Sequence, residues 1–425
     1  MTMTLTHSSL ALQGGPKTVR TEAGDLFRWP IITEEDEQAA LEVLRAGKMS
    51  GIDVTQQFEE ELAAWHGVRY ALCHNTGTAA LHTAMWACGV CSGTEIIAPS
   101  LTYWASAIPA LSLGATPVFA DVHRDTMCID PRDIEHRITP RTRAIVAVHY
   151  CGYPCDMDPI LDVARRHGVK VIEDVSHAHG GLYKGRLVGT MGDVGAFSMM
   201  SGKSLAIGEG GAFVTNDSEL YERGLAFGHY ERHRLVTDPA LAALGGIPLA
   251  GVKYRMHQVS SAVGRVQLKY YSARMAEIQK AMNYFWDLLE GVPGLRAHRP
   301  AKDSGSTMGG WYAAHGLYRP DELGGLPIAR FAEAVRAEGG ICSPGCNFAL
   351  HQHPVLNEAD IYGDGKPTRI AHGEDVRQPT GSLPVTERMQ EWVYNIPWFK
   401  HYRPECIEQH AAAYRKVAEN ADQLR

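Results

Sequence analysis

The feature that most constrains this chain is a regular alternation of short β-rich runs with helical segments between residues 69 and 215. The runs are 69–73, 95–99, 116–121, 144–149, 169–174, 194–198 and 212–215; between them, 79–90, 104–113 and 158–167 have helical spacing or length. Such alternation builds βαβ units and therefore an α/β fold with a mostly parallel central sheet, helices on both faces, and ligands at the carboxyl ends of the strands. Upstream, Thr33 and the acidic residues 34–37 open a helix through Leu44, followed by Gly47. Downstream, polar, loop-like sequence over 227–251 leads into a long helix from His257 to about Leu289. The remainder is rich in Gly, Pro and His. The organisation expected is an N-terminal arm (1–34), a large domain (35–289) and a smaller α+β domain (290–425). Within the last, 360–374 is expected to be a solvated surface loop or a lid.

Composition excludes several function classes. With 41 Lys+Arg against 48 Asp+Glu, the chain has no basic field to hold a phosphate backbone, so nucleic acid is not an expected partner. Residues 1–12 lack the cationic start and apolar core of an export signal, and cytoplasmic residence is expected. Residues 96–120 carry no charge and are long enough to cross a bilayer, but Pro99, Pro109, Gly114 and Pro117 punctuate them. Strand, buried helix and strand is the expected reading, and a membrane partner is not. The nine cysteines read as reduced thiols. Their close pairs, Cys88/Cys91, Cys151/Cys155 and Cys342/Cys346, are too scattered for one zinc module.

Three segments carry residues suited to chemistry. Asn75-Thr76-Gly77-Thr78-Ala79-Ala80-Leu81 follows a strand and opens a helix, where small residues uncover backbone N–H groups that can hold an anion. The same pattern also reads as a plain threonine N-cap. Glu173-Asp174-Val175-Ser176-His177-Ala178-His179-Gly180 ends an apolar strand. Asp174, His177 and His179 there could bind a divalent metal, with His351 and His353 as further ligands, as in a metal-dependent hydrolase. Alternatively Asp174 could neutralise a cationic heterocycle with His177 on its ring face.

The third segment, 195–211, discriminates. Lys203 lies among small, nearly uncharged residues before the turn Gly208-Glu209-Gly210-Gly211. A lysine so placed is a Schiff-base candidate, because burial lowers its pKa and frees the amine. An anion cradle, a strand-end aspartate and an isolated lysine together meet the needs of pyridoxal 5′-phosphate (PLP). A carboxylate about 4 Å from a pyridinium is worth roughly 4 kcal/mol, or about three pKa units, enough to keep the ring nitrogen protonated at neutral pH.

These segments resemble the sugar aminotransferases of the DegT/DnrJ/StrS family, PLP enzymes of fold type I with the aspartate-aminotransferase-like architecture. The resemblance runs from about Phe27 into the C-terminal region. It rests on Thr76 to Leu81, Pro99-Ser100-Leu101-Thr102-Tyr103, Glu173-Asp174-x-x-His177-Ala178-x-Gly180, Phe197-Ser198 through Lys203, and Gly208 to Gly211. It implies that Lys203 forms the Schiff base and Asp174 pairs with the pyridine nitrogen. His177 and Tyr103 would lie on opposite ring faces, and Gly77, Thr78, Ala79 and Ser198 would hold the phosphate.

Two segments depart from the family pattern. Gly251-Val252-Lys253-Tyr254-Arg255 stands where Gly-Tyr-Asn-Tyr-Arg is usual, so that Lys253 would reach the phosphate bound by the other copy of a homodimer. Met199-Met200-Ser201-Gly202 replaces aromatic or polar residues before the lysine. A lysine at 203 argues against the family's dehydratase branch, in which histidine stands there.

The function implied is transfer of an amino group from glutamate or glutamine to a ketosugar or free keto-cyclitol in sugar or secondary-metabolite (antibiotic) biosynthesis. Lys203 would serve as anchor and as general acid/base. The related alternative is an aminohydroxybenzoate-type synthase.

Overall fold

A computed structural model describes residues 9–249, 251–370, 375 and 377–424. Each expected run is a strand, with small shifts at the ends: β1 (Tyr70–His74), β2 (Glu95–Pro99), β3 (Thr116–Ala120), β4 (Thr142–Val148), β5 (Lys170–Asp174), β6 (Val194–Ser198) and β7 (Gly211–Thr215). They form one sheet in the order β1-β7-β6-β5-β4-β2-β3. The five strands from β6 to β3 are parallel, and β7 runs antiparallel to both its neighbours. The fold is the expected α/β architecture.

Alternation along the strands divides the core. Ile96, Ala98, Val146, Ile172 and Ala196 pack on one face, while Ile97, Ile145, Ala147, Val171 and Phe197 pack on the other. Both faces are buried, as a parallel sheet clad by crossover helices requires. The residues 9–30 that precede the first helix join a separate core: Leu10, Leu26, Phe27 and Trp29 pack with side chains of the C-terminal region such as Phe399 and Tyr414. That region carries a second sheet, β8 (Leu295–Ala297), β9 (His315–Tyr318), β10 (Ser343–Pro344) and β11 (Val393–Asn395), in the order β8-β9-β11-β10, all antiparallel.

The helices follow local signals. Thr33 caps Glu34–Arg45 in a capping box with Asp36, a device worth about 1 kcal/mol. The long helix is Gln258–Leu288. The helix Asp53–His66, closed by left-handed Gly67, was not expected from the sequence. Residues 104–113, expected as one helix, split into a 3-10 turn, Trp104–Ser106, and a short helix, Pro109–Ser112. Ala107 leaves helical geometry between them, and Pro109 has no N–H to continue the ladder. The uncharged stretch 96–120 is accordingly strand, broken helix and strand. Among the described residues no helix is long and apolar enough to cross a membrane.

Residues 1–8, which open the segment that lacks an export signal's features, lie outside the described residues, as do 371–374 of the segment expected to be a solvated surface loop or a lid. Before them the chain turns on Asp360, whose carboxylate accepts N–H bonds from Gly363, Asp364 and Gly365.

Candidate active site

A cavity of about 510 Å³ opens at the carboxyl ends of β4, β5 and β6, beside the start of the helix Gly77–Ala87. Gly77, Thr78, Tyr103, Asp174, His177, Ser198 and Lys203 all line it. Ala79 lies just behind, its N–H turned to the Thr76 hydroxyl at 3.0 Å. The N–H groups of Gly77 and Thr78 and the hydroxyls of Thr78 and Ser198 make no hydrogen bond among the described residues, which leaves a ready anion cradle. Gly77 is required by packing: a Cβ there would sit 2.4 Å from the Ser198 Cβ.

Asp174 is the last residue of β5 and is almost fully buried. The Ser106 hydroxyl donates to its Oδ2 at 2.7 Å, and the Ser176 N–H donates to Oδ1 at 3.0 Å. Its neighbour Glu173 points to the opposite face of the sheet, where it accepts from His149 Nε2 at 3.0 Å and from the N–H groups of Gly189, Met191 and Gly192. Burial opposes its ionised form, but His149 and these N–H groups together hold Glu173 below the usual carboxylate range. Glu173 thus anchors a loop, and Asp174 alone of the two faces the cavity.

Lys203 sits in a loop whose ends are tied together, Met199 N–H to Gly210 O and Ile207 N–H to Met199 O, both at 2.9 Å. Trp29 Nε1 donates to the Lys203 carbonyl at 2.8 Å, fastening the loop to the residues before the first helix. The amine is buried, and desolvation lowers it from 10.5 to about 8 against the opposing pull of Asp174. An amine so tuned is free in a useful fraction near neutral pH, as nucleophilic or proton-transfer chemistry needs.

His177 is buried with its Nδ1 accepting the Cys151 N–H at 3.2 Å. Burial, reinforced by the charge of Lys203, pushes it far below its ordinary range, so the ring is neutral. Cys151 reaches this position in a left-handed conformation (φ 52°), a strain of about 1–2 kcal/mol for a residue with a Cβ. Tyr312, which nothing in the sequence singled out, completes the wall: its ring centre lies 4.7 Å from that of His177 and 4.0 Å from Lys203 Nζ. Ser106, Tyr150 and Asn347 were missed likewise. Two of them had a signal within reach: Ser106 is one helical turn beyond Thr102 of a quoted motif, and Tyr150 directly follows the expected run 144–149.

Lys253 is not in the cavity. It is exposed, with Nζ 6.0 Å from the Tyr230 ring centre.

The metal reading finds no support. His179 turns into the core against Phe197, His351 bridges Ser100 and Glu387, and His353 caps a short helix. Among the described residues no three His, Cys, Asp or Glu side chains are placed to share an ion.

The profile of the DegT/DnrJ/EryC1/StrS aminotransferase family matches residues 30–395. The chain is 34% identical to the L-glutamine:scyllo-inosose aminotransferase of Streptomyces griseus, over 98% of this chain and 99% of that protein. Among solved structures, the aminotransferase from Psychrobacter cryohalolentis superposes with a TM-score of 0.79 at 29% identity, over 93% of this chain and 99% of that one. A 3-amino-5-hydroxybenzoic acid synthase superposes with a TM-score of 0.77 at 25% identity, over 95% of this chain and 100% of that one. With its fold-type-I architecture and its lysine, aspartate and anion cradle in one cavity, this chain belongs to the DegT/DnrJ/EryC1/StrS aminotransferase family.

Proposed function

We propose that this aminotransferase uses PLP to move an amino group from L-glutamine, or from glutamate, to a free keto-cyclitol. The observation that carries the cofactor assignment is the convergence of Lys203, Asp174 and an unpartnered anion cradle on one cavity. The acceptor class rests on charge. Among the described lining residues Lys203 is the only lysine or arginine, so they offer a nucleotide diphosphate no cationic side chain beyond the lysine already committed to the cofactor. The likeness to a glutamine-dependent inosose aminotransferase along nearly the whole chain points the same way.

Bound there, PLP supplies an electron sink for negative charge at the donor's α-carbon. The Gly77 and Thr78 N–H groups, with the Thr78 and Ser198 hydroxyls, would hold its phosphate. Asp174, oriented by Ser106 and Ser176, would keep the pyridine nitrogen protonated. His177 and Tyr103 would flank the ring. Lys203 would hold the cofactor through its amine until the donor's amine takes its place there; the released Nζ would then accept the proton leaving the donor's α-carbon and later return one.

Lys253, outside its own cavity, would reach the site of a second copy in a homodimer, where its point charge suits a phosphate. The division into a cofactor domain (35–289) and a smaller domain (290–425) is part of the same reading.

The test begins with PLP-loaded protein converted to its amine form by L-glutamine. Return of the cofactor's visible absorbance on adding scyllo-inosose is the expected result. Return only with a nucleotide-linked ketosugar overturns the acceptor assignment, and no conversion by either glutamine or glutamate overturns the donor assignment.

A further inference from the structure

The C-terminal region lends the cavity two asparagines whose amide orientations are dictated by their surroundings. The Tyr150 hydroxyl accepts the Asn347 backbone N–H at 3.2 Å, so its own proton is donated to Asn347 Oδ1, at 2.5 Å. That leaves the Asn347 Nδ2 amide as a donor without a partner among the described residues. Asn395 is fixed the opposite way. Its Nδ2 faces the carbonyls of Gly345 at 3.2 Å and Ser343 at 3.5 Å, which can only accept, so Oδ1 is its free end.

The loop bearing Asn347 is held rigidly. Gly345 turns with φ +90° and gives its N–H to Val393 O at 2.7 Å, and Gln390 Nε2 donates to the Asn347 carbonyl at 2.9 Å. Both asparagines line the cavity that holds Lys203.

We infer that Asn347 and Asn395 form a fixed donor and acceptor pair that reads hydroxyl groups of an uncharged polyol acceptor, with Tyr150 as the positioning residue for Asn347. A hydroxyl both accepts and donates, so neighbouring ring hydroxyls can satisfy one free N–H and one free carbonyl oxygen together. A carboxylate or phosphate could use only the donor and would leave Oδ1 of Asn395 facing negative charge. The inference rests on the transaminase reading above and specifies what its acceptor must carry.

The experiment compares Asn347→Leu and Asn395→Leu with the unaltered PLP-loaded protein in the two half-reactions followed separately, L-glutamine bleaching the cofactor absorbance and scyllo-inosose restoring it. Asn347 is exposed, so its replacement leaves the core intact. In each variant the KM for scyllo-inosose is expected to rise about five- to tenfold, the weight of one net hydrogen bond, with the glutamine half-reaction changed less than twofold. Equal losses in both half-reactions, no loss, or a loss confined to glutamine overturns the assignment. Unaltered protein that L-glutamine and glutamate both fail to bleach overturns the transaminase reading, and this inference with it.

Discussion

Lys203 Nζ lies 4.0 Å from the centre of the Tyr312 ring, and the same ring lies 4.7 Å from that of His177. The aromatic face favours the charged amine and therefore acts against the desolvation that brings Lys203 to about 8. Tyr312→Leu removes a contact worth about 0.5–2 kcal/mol to the ammonium. In cofactor-free protein, the pH midpoint for reaction of the amine with PLP is expected to move down. Tyr312→Phe, which keeps the face, should leave it nearly in place. A midpoint unchanged by leucine would show that the ring does not support the charge.

Asp174 stands at the end of a relay. Because Ser106 gives its one proton to Asp174 Oδ2, the Thr102 hydroxyl donates to Ser106 at 2.9 Å. Ser106→Ala removes a hydrogen bond to a charged group, about 1.5–3 kcal/mol. The expected fall in kcat/KM is about ten- to a hundredfold. Asp174→Asn should cost on the order of a thousandfold, the weight of about three pKa units at the cofactor nitrogen. Steady-state kinetics with saturating PLP checks both, and a Ser106→Ala enzyme of full activity would refute the relay.

Gly77→Ala tests the cradle. Its methyl would meet the Ser198 side chain at 2.4 Å and its Cα at 2.7 Å, so the helix start must shift away from β6. Overpacking of this kind costs about 1–3 kcal/mol. A lower Tm of the cofactor-free protein is expected, with a PLP Kd raised further than the stability loss explains. Calorimetry and a PLP titration read the two effects separately.

Lys400 is a second buried lysine, set against Trp398 and Trp29 with no carboxylate partner among the described residues. Burial lowers it from 10.5 to about 6. Between those values the unfolded chain binds the extra proton, so folding stability from this group rises with pH across that window and is lost on acidification through it. Lys203 contributes with the same sign between about 8 and 10.5. Lys400→Met is expected to gain about 1–4 kcal/mol at pH 7 and to flatten the rise. Urea unfolding of cofactor-free protein at pH 7 and 9 measures both, and a variant no more stable than the parent at pH 7 would contradict it.

Some of this was legible in the chain because its physics is local. The strands β1 to β7 announce themselves as apolar runs between turn residues, and Asp174 and Lys203 follow strand ends where such folds place their chemistry. The capping box at Thr33 depends on residues three apart. The break at 107–109 was not expected, although Pro109 stands among the punctuating residues, because the apolar spacing runs through 104–113 and does not show where a helix restarts. Tyr312 and Asn347 lack any periodic or motif signal. They reach the cavity only because the C-terminal region folds back over the sheet, whereas Tyr150 follows the carboxyl end of β4.

By itself, the sequence determined the sheet, the family, and which lysine and aspartate meet in one cavity, since those follow from hydrophobic periodicity and from motifs short enough to act within one strand and turn. Only the tertiary structure decided that His179 packs into the core against Phe197, that Glu173 anchors a loop behind the cavity, and that two oriented asparagines complete its wall. Those outcomes depend on burial and on hydrogen bonds between segments as far apart as Tyr150 and Asn347, contacts that form only once the chain has closed.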